Sequence, residues 1–180
     1  MRALVVYESM YGNTHAIASN IADGLRSAYE VTLVPVAAAT ADLVSRADLL
    51  VVGGPTHMHG LSTSSSRQLA VKTAARSAGG PALDPDAAGP GLRDWFGRLA
   101  GRQALAAAFD TRLVGIPAFT GRASRGISRL LTRHGYRIIA ASESFMVTKA
   151  NTLADGESQR ARRWGEALAA AAGLAVPATG

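Results

Sequence analysis

The sequence predicts an α/β protein with a parallel sheet and helices on both faces of that sheet. Three short apolar segments alternate with helical patterns near the amino terminus, at residues 2–7, 30–36 and 48–54. Short apolar runs bounded by polar turns indicate buried parallel strands, and right-handed crossovers then place helices on both faces. With 180 residues the chain is long enough for one domain with a single core.

The rest of the chain continues the same alternation. An apolar stripe of Ile17, Ile21 and Leu25 predicts the first helix. The first two predicted helices cover about residues 14–28 and 41–45, a third ends near 134, and a final one begins near 155. Further strands are predicted at 104–109 and 136–147. We place a single domain at residues 1–173 and expect a disordered tail at 174–180.

The segment 62–101 is longer than a connection between a strand and a helix requires. We predict helices at 62–78 and 92–99 within it, separated by glycine–proline pairs. We interpret this segment as an insertion in the domain. A surface loop and a lid are both compatible with its sequence.

The turn after the first strand combines hydroxyls, an amide and a glycine directly ahead of a helix. It reads Glu8-Ser9-Met10-Tyr11-Gly12-Asn13-Thr14. The first N–H groups of a helix lack internal partners, and the helix dipole adds positive potential there. Small polar residues at this junction therefore favour a phosphate-binding loop. The alternative is an ordinary strand–helix turn that is capped by serine or asparagine.

The pattern Ser9-x-Tyr11-Gly12-Asn13-Thr14 resembles the loop that binds the FMN phosphate in the flavodoxin family. Its first part, Ser9-Met10-Tyr11-Gly12, is also similar to the loop of flavodoxin-like NAD(P)H:quinone oxidoreductases. The segment Gly54-Pro55-Thr56 resembles the loop that contacts the flavin ring. The resemblance implies a flavodoxin-like, doubly wound, five-stranded parallel sheet with strand order 2-1-3-4-5.

Ligands of such sheets bind at the carboxyl ends of the strands, where the strand order reverses. The resemblance implies that FMN lies between three loops at that edge. The first loop comprises Ser9, Met10, Tyr11, Gly12, Asn13 and Thr14, and the second comprises Pro55, Thr56, His57, Met58, His59 and Gly60. The third comprises Asp110, Thr111 and Arg112. The first loop would hold the phosphate. The third would meet the pyrimidine end of the ring through Asp110 and Thr111.

Flavodoxins usually enclose the ring between aromatic side chains, and the second and third loops contain none. Tyr11, His57, Met58, His59 or a folded-back Trp95 would have to take that place. The spacing of His57 and His59 could also suit a metal ion, but a third ligand is expected and no pattern supplies one. We therefore assign no metal and interpret this pair as a flavin edge or as an exposed loop.

No catalytic residue is assigned. The sequence lacks the Gly-x-x-x-x-Gly-Lys-Ser/Thr motif of nucleotide hydrolysis, the dinucleotide motif Gly-x-Gly-x-x-Gly after its first strand, and the Gly-x-Ser-x-Gly elbow of hydrolases. The absence of cysteine excludes disulfides and thiolate sites. No apolar run approaches a membrane span or a signal peptide, and we expect a cytoplasmic protein without membrane contact.

The net charge is +6, and 17 of the 19 basic residues are arginine. Basic proteins favour acidic partners, although arginine spread over solvated surfaces has the same composition. A row of four arginines is expected on one face of the helix that ends near 134, namely Arg122, Arg125, Arg129 and Arg133. It suits either a solvated face or a docking face for an acidic partner. Nucleic acid is disfavoured because no aromatic interleaving or known motif accompanies the row.

These observations favour an FMN-binding electron-transfer protein that exchanges electrons with redox partner proteins, some of them with acidic surfaces. An FMN-dependent NAD(P)H:quinone-type oxidoreductase is the first alternative, so the question of enzyme or carrier stays open. A binding module that keeps the fold without FMN is the second. The sequence does not indicate an oligomeric state.

Overall fold

The computed structural model describes residues 1–57, 60–76, 82–115 and 121–175. Its strands are β1 (Arg2–Tyr7), β2 (Glu30–Pro35), β3 (Leu49–Pro55), β4 (Leu105–Leu113), β5 (Arg137–Ile138) and β6 (Glu143–Val147). Its helices are α1 (Asn13–Leu25), α2 (Ala41–Arg46), α3 (Ser64–Arg76), α4 (Leu92–Phe96), α5 (Ala123–Arg133) and α6 (Glu157–Ala175).

The strands form one parallel sheet in the order β2-β1-β3-β4-β5, and β6 also pairs with β4. This confirms the predicted parallel sheet and its strand order. Tyr7 lies opposite Gly53, which lies opposite Phe109. The carboxyl ends of β1, β3 and β4 are therefore neighbours at one edge of the sheet.

The alternation of side chains along β1 divides the core into two layers. Val5 faces the layer that contains Ile17, Ile21 and Leu168 of α1 and α6. Val6 faces the opposite layer, to which α4 and α5 contribute Trp95, Phe96, Ile127 and Leu131. Successive residues of a strand point to opposite faces, so a strand that is apolar throughout requires helices on both.

The predicted fifth strand at 136–147 is wrong as one continuous strand, because it is divided into β5 and β6. Arg137 pairs with Leu105, and Glu143 pairs with Phe109. The chain thus uses six steps where β4 uses four, and two extra residues cannot stay in register with the ladder. Among the residues that the structure describes, the sheet therefore has six strands, one more than we predicted.

Two predicted boundaries also move. Strand β4 continues to Leu113, so Asp110, Thr111 and Arg112 belong to a strand and not to a loop. Pairing with the end of β3 on one side and with β6 on the other keeps these polar residues in the sheet. Helix α6 extends to Ala175, two residues into the predicted tail, and 176–180 lie outside the described residues. Within the described ranges, no helix has both the length and the apolar character that crossing a bilayer would need.

Candidate functional site

The loop between β1 and α1 turns at Gly12, whose φ of 83° lies in the left-handed region. Glycine adopts this conformation without steric cost, which explains its place before the helix. The Gly12 N–H donates to Ser9 Oγ at 3.1 Å. Among the backbone N–H groups of residues 10–15, only this one has an acceptor in the described part of the chain. The others remain available to an anion.

Two polar side chains at the start of α1 are fixed by distant parts of the chain. Thr14 Oγ1 and Thr111 Oγ1 share a buried hydrogen bond of 2.7 Å, which joins α1 to β4. Asn13 Nδ2 donates to the carbonyl of Asn151 at 3.0 Å and to Asn151 Oδ1 at 3.2 Å. Asn151 has a φ of 58°, a conformation that asparagine tolerates better than most residues.

The loop after β3 is held between β4 and α5. Thr56 donates its N–H to the Thr111 carbonyl at 2.7 Å and accepts the Ala123 N–H on Oγ1 at 2.9 Å. His57 and Gly60 pair their backbones in both directions, at 2.8 and 3.0 Å. The predicted site residues Met58 and His59 lie outside the described residues.

The three predicted residues of β4 do not share one face. Asp110 is fully buried and accepts the Ser124 N–H on Oδ2 at 2.7 Å, so it caps α5. Thr111 points to the α1 side, where it meets Thr14. Arg112 donates to the Gly115 carbonyl at 3.0 Å; burial lowers its pKa, an effect that Asp110 opposes and that Arg122 reinforces.

A cavity of about 240 Å³ lies between these segments at the carboxyl edge of the sheet. Nine predicted residues line it: Met10, Tyr11, Asn13, Thr14, Pro55, Thr56, His57, Thr111 and Arg112. Ser9 and Gly12 shape the first loop without lining the cavity, Gly60 lines a different cavity, and Asp110 is on the α5 side. The placement of Asp110 at the ring is therefore not supported by its contacts.

Sequence reasoning missed four further lining residues, namely Ser62, Leu113, Val147 and Asn151. Val147 ends β6, and Asn151 follows in the next turn. A signal for them was present, because the last strand of a parallel sheet also ends at the edge where ligands bind.

Trp95 does not fold back onto this site. Its indole N–H donates to the Ala39 carbonyl at 3.1 Å, and its ring packs in the layer formed by α4 and α5. The aromatic and imidazole rings that do line the cavity in the described chain are Tyr11 and His57.

The insertion packs directly on the first loop. The Asp84 N–H donates to the Met10 carbonyl at 2.9 Å, and Ala87 packs on the Met10 side chain. The buried Glu8 carboxylate accepts the Leu92 N–H at 2.8 Å and the Ser62 hydroxyl. A loop that is anchored in this way keeps its backbone donors in place.

The acidic residues of the insertion affect the end of β1. Asp84 lies 3.5 Å from His15 Nδ1, and the imidazole stacks on Tyr7 with ring centroids 4.5 Å apart. Burial, followed by the charges of Asp84 and Asp86, raises the pKa of Tyr7 to about 12. Tyr7 is therefore neutral throughout the physiological range.

The comparison with protein families agrees with this geometry. The flavodoxin family model matches residues 5–92, which include the second half of β1, the first loop, β3 and the start of α4. The match over residues 5–92, together with the observed strand order, supports a flavodoxin-family protein. No curated protein matches the sequence.

Solved structures support the flavodoxin-like fold over nearly the whole chain. A flavodoxin from the domain Archaea has a TM-score of 0.66 at 19% identity, with 96% of this chain and 99% of that chain covered. Oxidised flavodoxin 1 from Bacillus cereus has a TM-score of 0.64 at 16% identity, with 98% and 99% covered. A flavodoxin, WrbA-like protein from Agrobacterium tumefaciens has a TM-score of 0.61 at 20% identity, with 96% and 98% covered.

Proposed function

We propose that this flavodoxin-like protein binds FMN in the cavity of about 240 Å³ and transfers electrons between redox partner proteins. FMN, when bound, supplies the redox chemistry by accepting and releasing electrons, and the protein contributes binding, orientation and electrostatics. The observation that carries the proposal is the set of backbone N–H groups at residues 10–15, which lie at a helix start in a flavodoxin fold and mostly have no acceptor in the described chain.

The residues present fit the phosphate end of FMN. The first loop contains no lysine or arginine, so its backbone donors and the dipole of the 13-residue helix α1 would hold the phosphate. Side-chain donors of Asn13 and Thr14 line the same cavity. Arg112 adds a positive charge to its wall.

The ring end is less enclosed. Pockets that surround whole ligands commonly measure roughly 300–1,000 Å³, more than the volume found here. We therefore expect the phosphate end to be buried and the ring to lie at the mouth, beside Tyr11, His57 and the half-exposed Leu113. Redox proteins with acidic surfaces are the partners that the net charge of +6 favours. A cytoplasmic location stays a prediction.

An FMN-dependent NAD(P)H:quinone-type oxidoreductase is the second candidate. It is favoured by the sequence Ser9-Met10-Tyr11-Gly12 in the first loop and by the likeness in fold to a WrbA-like protein. Oxidation of NADH or NADPH by the FMN-loaded protein, with a quinone as the only acceptor, would support this candidate. If the protein binds FMN but oxidises neither NADH nor NADPH, the electron-transfer protein remains the proposed function.

The decisive test is a titration of the flavin-free protein with FMN and with riboflavin, followed by flavin fluorescence. FMN should bind far more tightly than riboflavin, because only FMN carries the phosphate. Equal affinities would contradict a phosphate site in the first loop. Binding of neither flavin would favour a module that keeps the fold without the cofactor.

Gly12→Ala provides the matched substitution. A Cβ at Gly12 meets no atom within 4 Å, so alanine changes only the backbone preference at a φ of 83°. A left-handed alanine costs roughly 1–2 kcal/mol. We expect the ligand-free loop of the variant to relieve this strain by leaving the left-handed conformation, so that FMN binding has to restore it and FMN affinity falls about tenfold, since 1.4 kcal/mol corresponds to that factor. Gly156→Ala is the control, because Gly156 also has a positive φ of 78° with open space, yet precedes α6. We expect Gly156→Ala to lower the free energy of unfolding by a similar amount and to leave the FMN affinity unchanged.

A further inference from the structure

A second cavity, of about 680 Å³, lies between helix α5 and the segment at Gly60 and Leu61. Five arginines line it, namely Arg93, Arg122, Arg125, Arg129 and Arg133. We call it the arginine groove. It contains the predicted arginine row of α5 and adds Arg93 from α4, which the sequence did not connect with that row.

The charge of the arginine groove is not neutralised within the described chain. None of its five arginines has a carboxylate within 4.0 Å among the described residues. Arg93 instead donates from Nε to the carbonyl of Ser62 at 3.0 Å and from Nη2 to that of Leu61 at 3.1 Å. The buried Nε of Arg122 has no acceptor in the part of the chain that the structure describes. Repulsion among these cations would be relieved by an anion.

Glycines keep the floor of the arginine groove open. Gly126 lies inside α5, where glycine is less favourable than alanine, and a Cβ built on it would meet no atom within 4 Å. Among the described residues, a Cβ on Gly60 would meet Arg93 Nη2 alone, at 4.0 Å. A ligand can thus approach the backbone between the guanidinium groups, which a larger side chain would prevent.

The size and the spacing of the groove decide the kind of anion. Its volume lies within the roughly 300–1,000 Å³ of small-molecule sites. Arg125 and Arg133 are separated by about 12 Å along the helix at 1.5 Å per residue, so the row of cations is longer than a single phosphate group. Guanidinium forks bind phosphate oxygens in pairs. Leu61, Ala123 and Leu130 add apolar wall for an organic portion.

We propose that the arginine groove binds an organic diphosphate, a molecule with two or more phosphate groups and an attached nucleoside or similar apolar part. The site is separate from the candidate FMN cavity and does not depend on flavin binding. The two cavities meet at one loop, because His57 lines the FMN cavity and Gly60, its backbone partner, lines the groove.

The test is calorimetric titration of the whole protein at fixed ionic strength, first with inorganic pyrophosphate and then with ADP, NADH, NADPH and coenzyme A. Arg125→Glu and Arg129→Glu should each weaken binding at least tenfold. Arg163→Glu is the matched control, since Arg163 is an exposed arginine of α6 outside the groove. Equal loss in the control would show an effect of net charge and would overturn the proposal.

Gly126→Leu tests the shape of the groove without changing its charge. We expect this substitution to weaken the binding of organic diphosphates at least tenfold while the protein keeps its circular-dichroism spectrum. Gly12→Ala should leave pyrophosphate affinity unchanged. A loss in Gly12→Ala would assign the anion to the first loop and overturn the proposal, whereas failure of FMN to bind would leave it intact.

The ligand series separates the sources of the diphosphate. A preference for NADPH over NADH would indicate recognition of the additional phosphate group, and a preference for ADP or coenzyme A would indicate another carrier of the same chemistry. Binding of poly-L-glutamate that Arg125→Glu abolishes, with no binding of any diphosphate, would make the groove a docking surface for an acidic protein and overturn the proposal.

Discussion

At the scale of single residues, the hydroxyl pair of Thr14 and Thr111 joins α1 to β4 beneath the first loop. Both residues are buried, and their oxygens are 2.7 Å apart. Thr14→Val or Thr111→Val leaves one buried hydroxyl without its partner, and we expect each to lower the free energy of unfolding by about 1–3 kcal/mol. Urea denaturation checks this.

The double variant Thr14→Val/Thr111→Val is the control for that interpretation. Replacing both partners by apolar groups of the same shape leaves no unsatisfied hydroxyl, so the double variant should lose clearly less than the sum of the single losses. Strict additivity would mean that the hydroxyls do not depend on each other for satisfaction.

Residues of the first loop were easier to predict than those of β4. Gly12 and Thr14 follow a strong local signal, a strand followed by small polar residues and a helix. The sequence Asp110-Thr111-Arg112 has no such signal, and its polar composition resembles that of a loop. Once these residues belong to a strand, alternation places Asp110 and Thr111 on opposite faces. Only the pairing of β4 with its two neighbours determines this.

At the scale of elements, α1 and α6 approach each other through two glycines. A Cβ on Gly165 would lie 2.3 Å from the Ile21 carbonyl oxygen, and one on Gly24 would lie 2.2 Å from that of Arg162. Because these neighbours are backbone atoms, no rotamer change relieves the clash. We expect Gly165→Ala to separate the helices and to lower the free energy of unfolding by about 1–3 kcal/mol.

Gly173→Ala is the control in the same helix. It is exposed, and its Cβ would meet no atom within 4 Å. We expect no loss in the control and a gain of up to about 1 kcal/mol, the difference in helix propensity. Denaturation curves of the two variants give the comparison, and equal behaviour would refute the close packing of α1 on α6.

The contact between β6 and α6 predicts a dependence of stability on pH. Glu157 accepts the Met146 N–H at 2.6 Å and pairs with Arg160 at 2.7 Å. Burial alone would raise the pKa of Glu157, but its hydrogen bonds with Arg160 and Met146 outweigh burial and lower that pKa below its ordinary value of 4.5. Its stabilising effect is therefore present above pH 4.5 and is lost as the pH falls through the lowered pKa.

Urea midpoints measured across the acidic range test this expectation. The midpoint of the unmodified protein should fall below pH 4.5 more steeply than that of Glu157→Gln, which cannot titrate at this position. Glu166→Gln, at a half-exposed glutamate of the same helix, should retain the steep fall. An unchanged profile in Glu157→Gln would assign the acid sensitivity to other carboxylates.

At the scale of the whole molecule, the strand order was predictable because local motifs resemble one family, and a parallel sheet with those motifs fixes where its strands end. The packing of the insertion was not predictable. Glu8 and Leu92 are separated by 84 positions, and neither residue alone indicates a partner. The division of β5 from β6 likewise depends on the register against β4, which composition does not encode.

The position of the insertion leads to a prediction that involves the whole chain and depends on the proposed function. Met10 of the first loop is hydrogen-bonded to Asp84 and packed on Ala87, while Glu8 holds Leu92 at the start of α4. A ligand that fixes the first loop should therefore stabilise these contacts, because a rigid partner lowers the frequency of local opening.

Hydrogen exchange of the Asp84, Ala87 and Leu92 amides should slow when FMN is added. Riboflavin at the same occupancy should protect them less, since it lacks the phosphate, and amides in the middle of α6 should be unaffected by either flavin. Equal protection across the chain would instead show a general gain in stability, with no specific coupling between the insertion and the first loop.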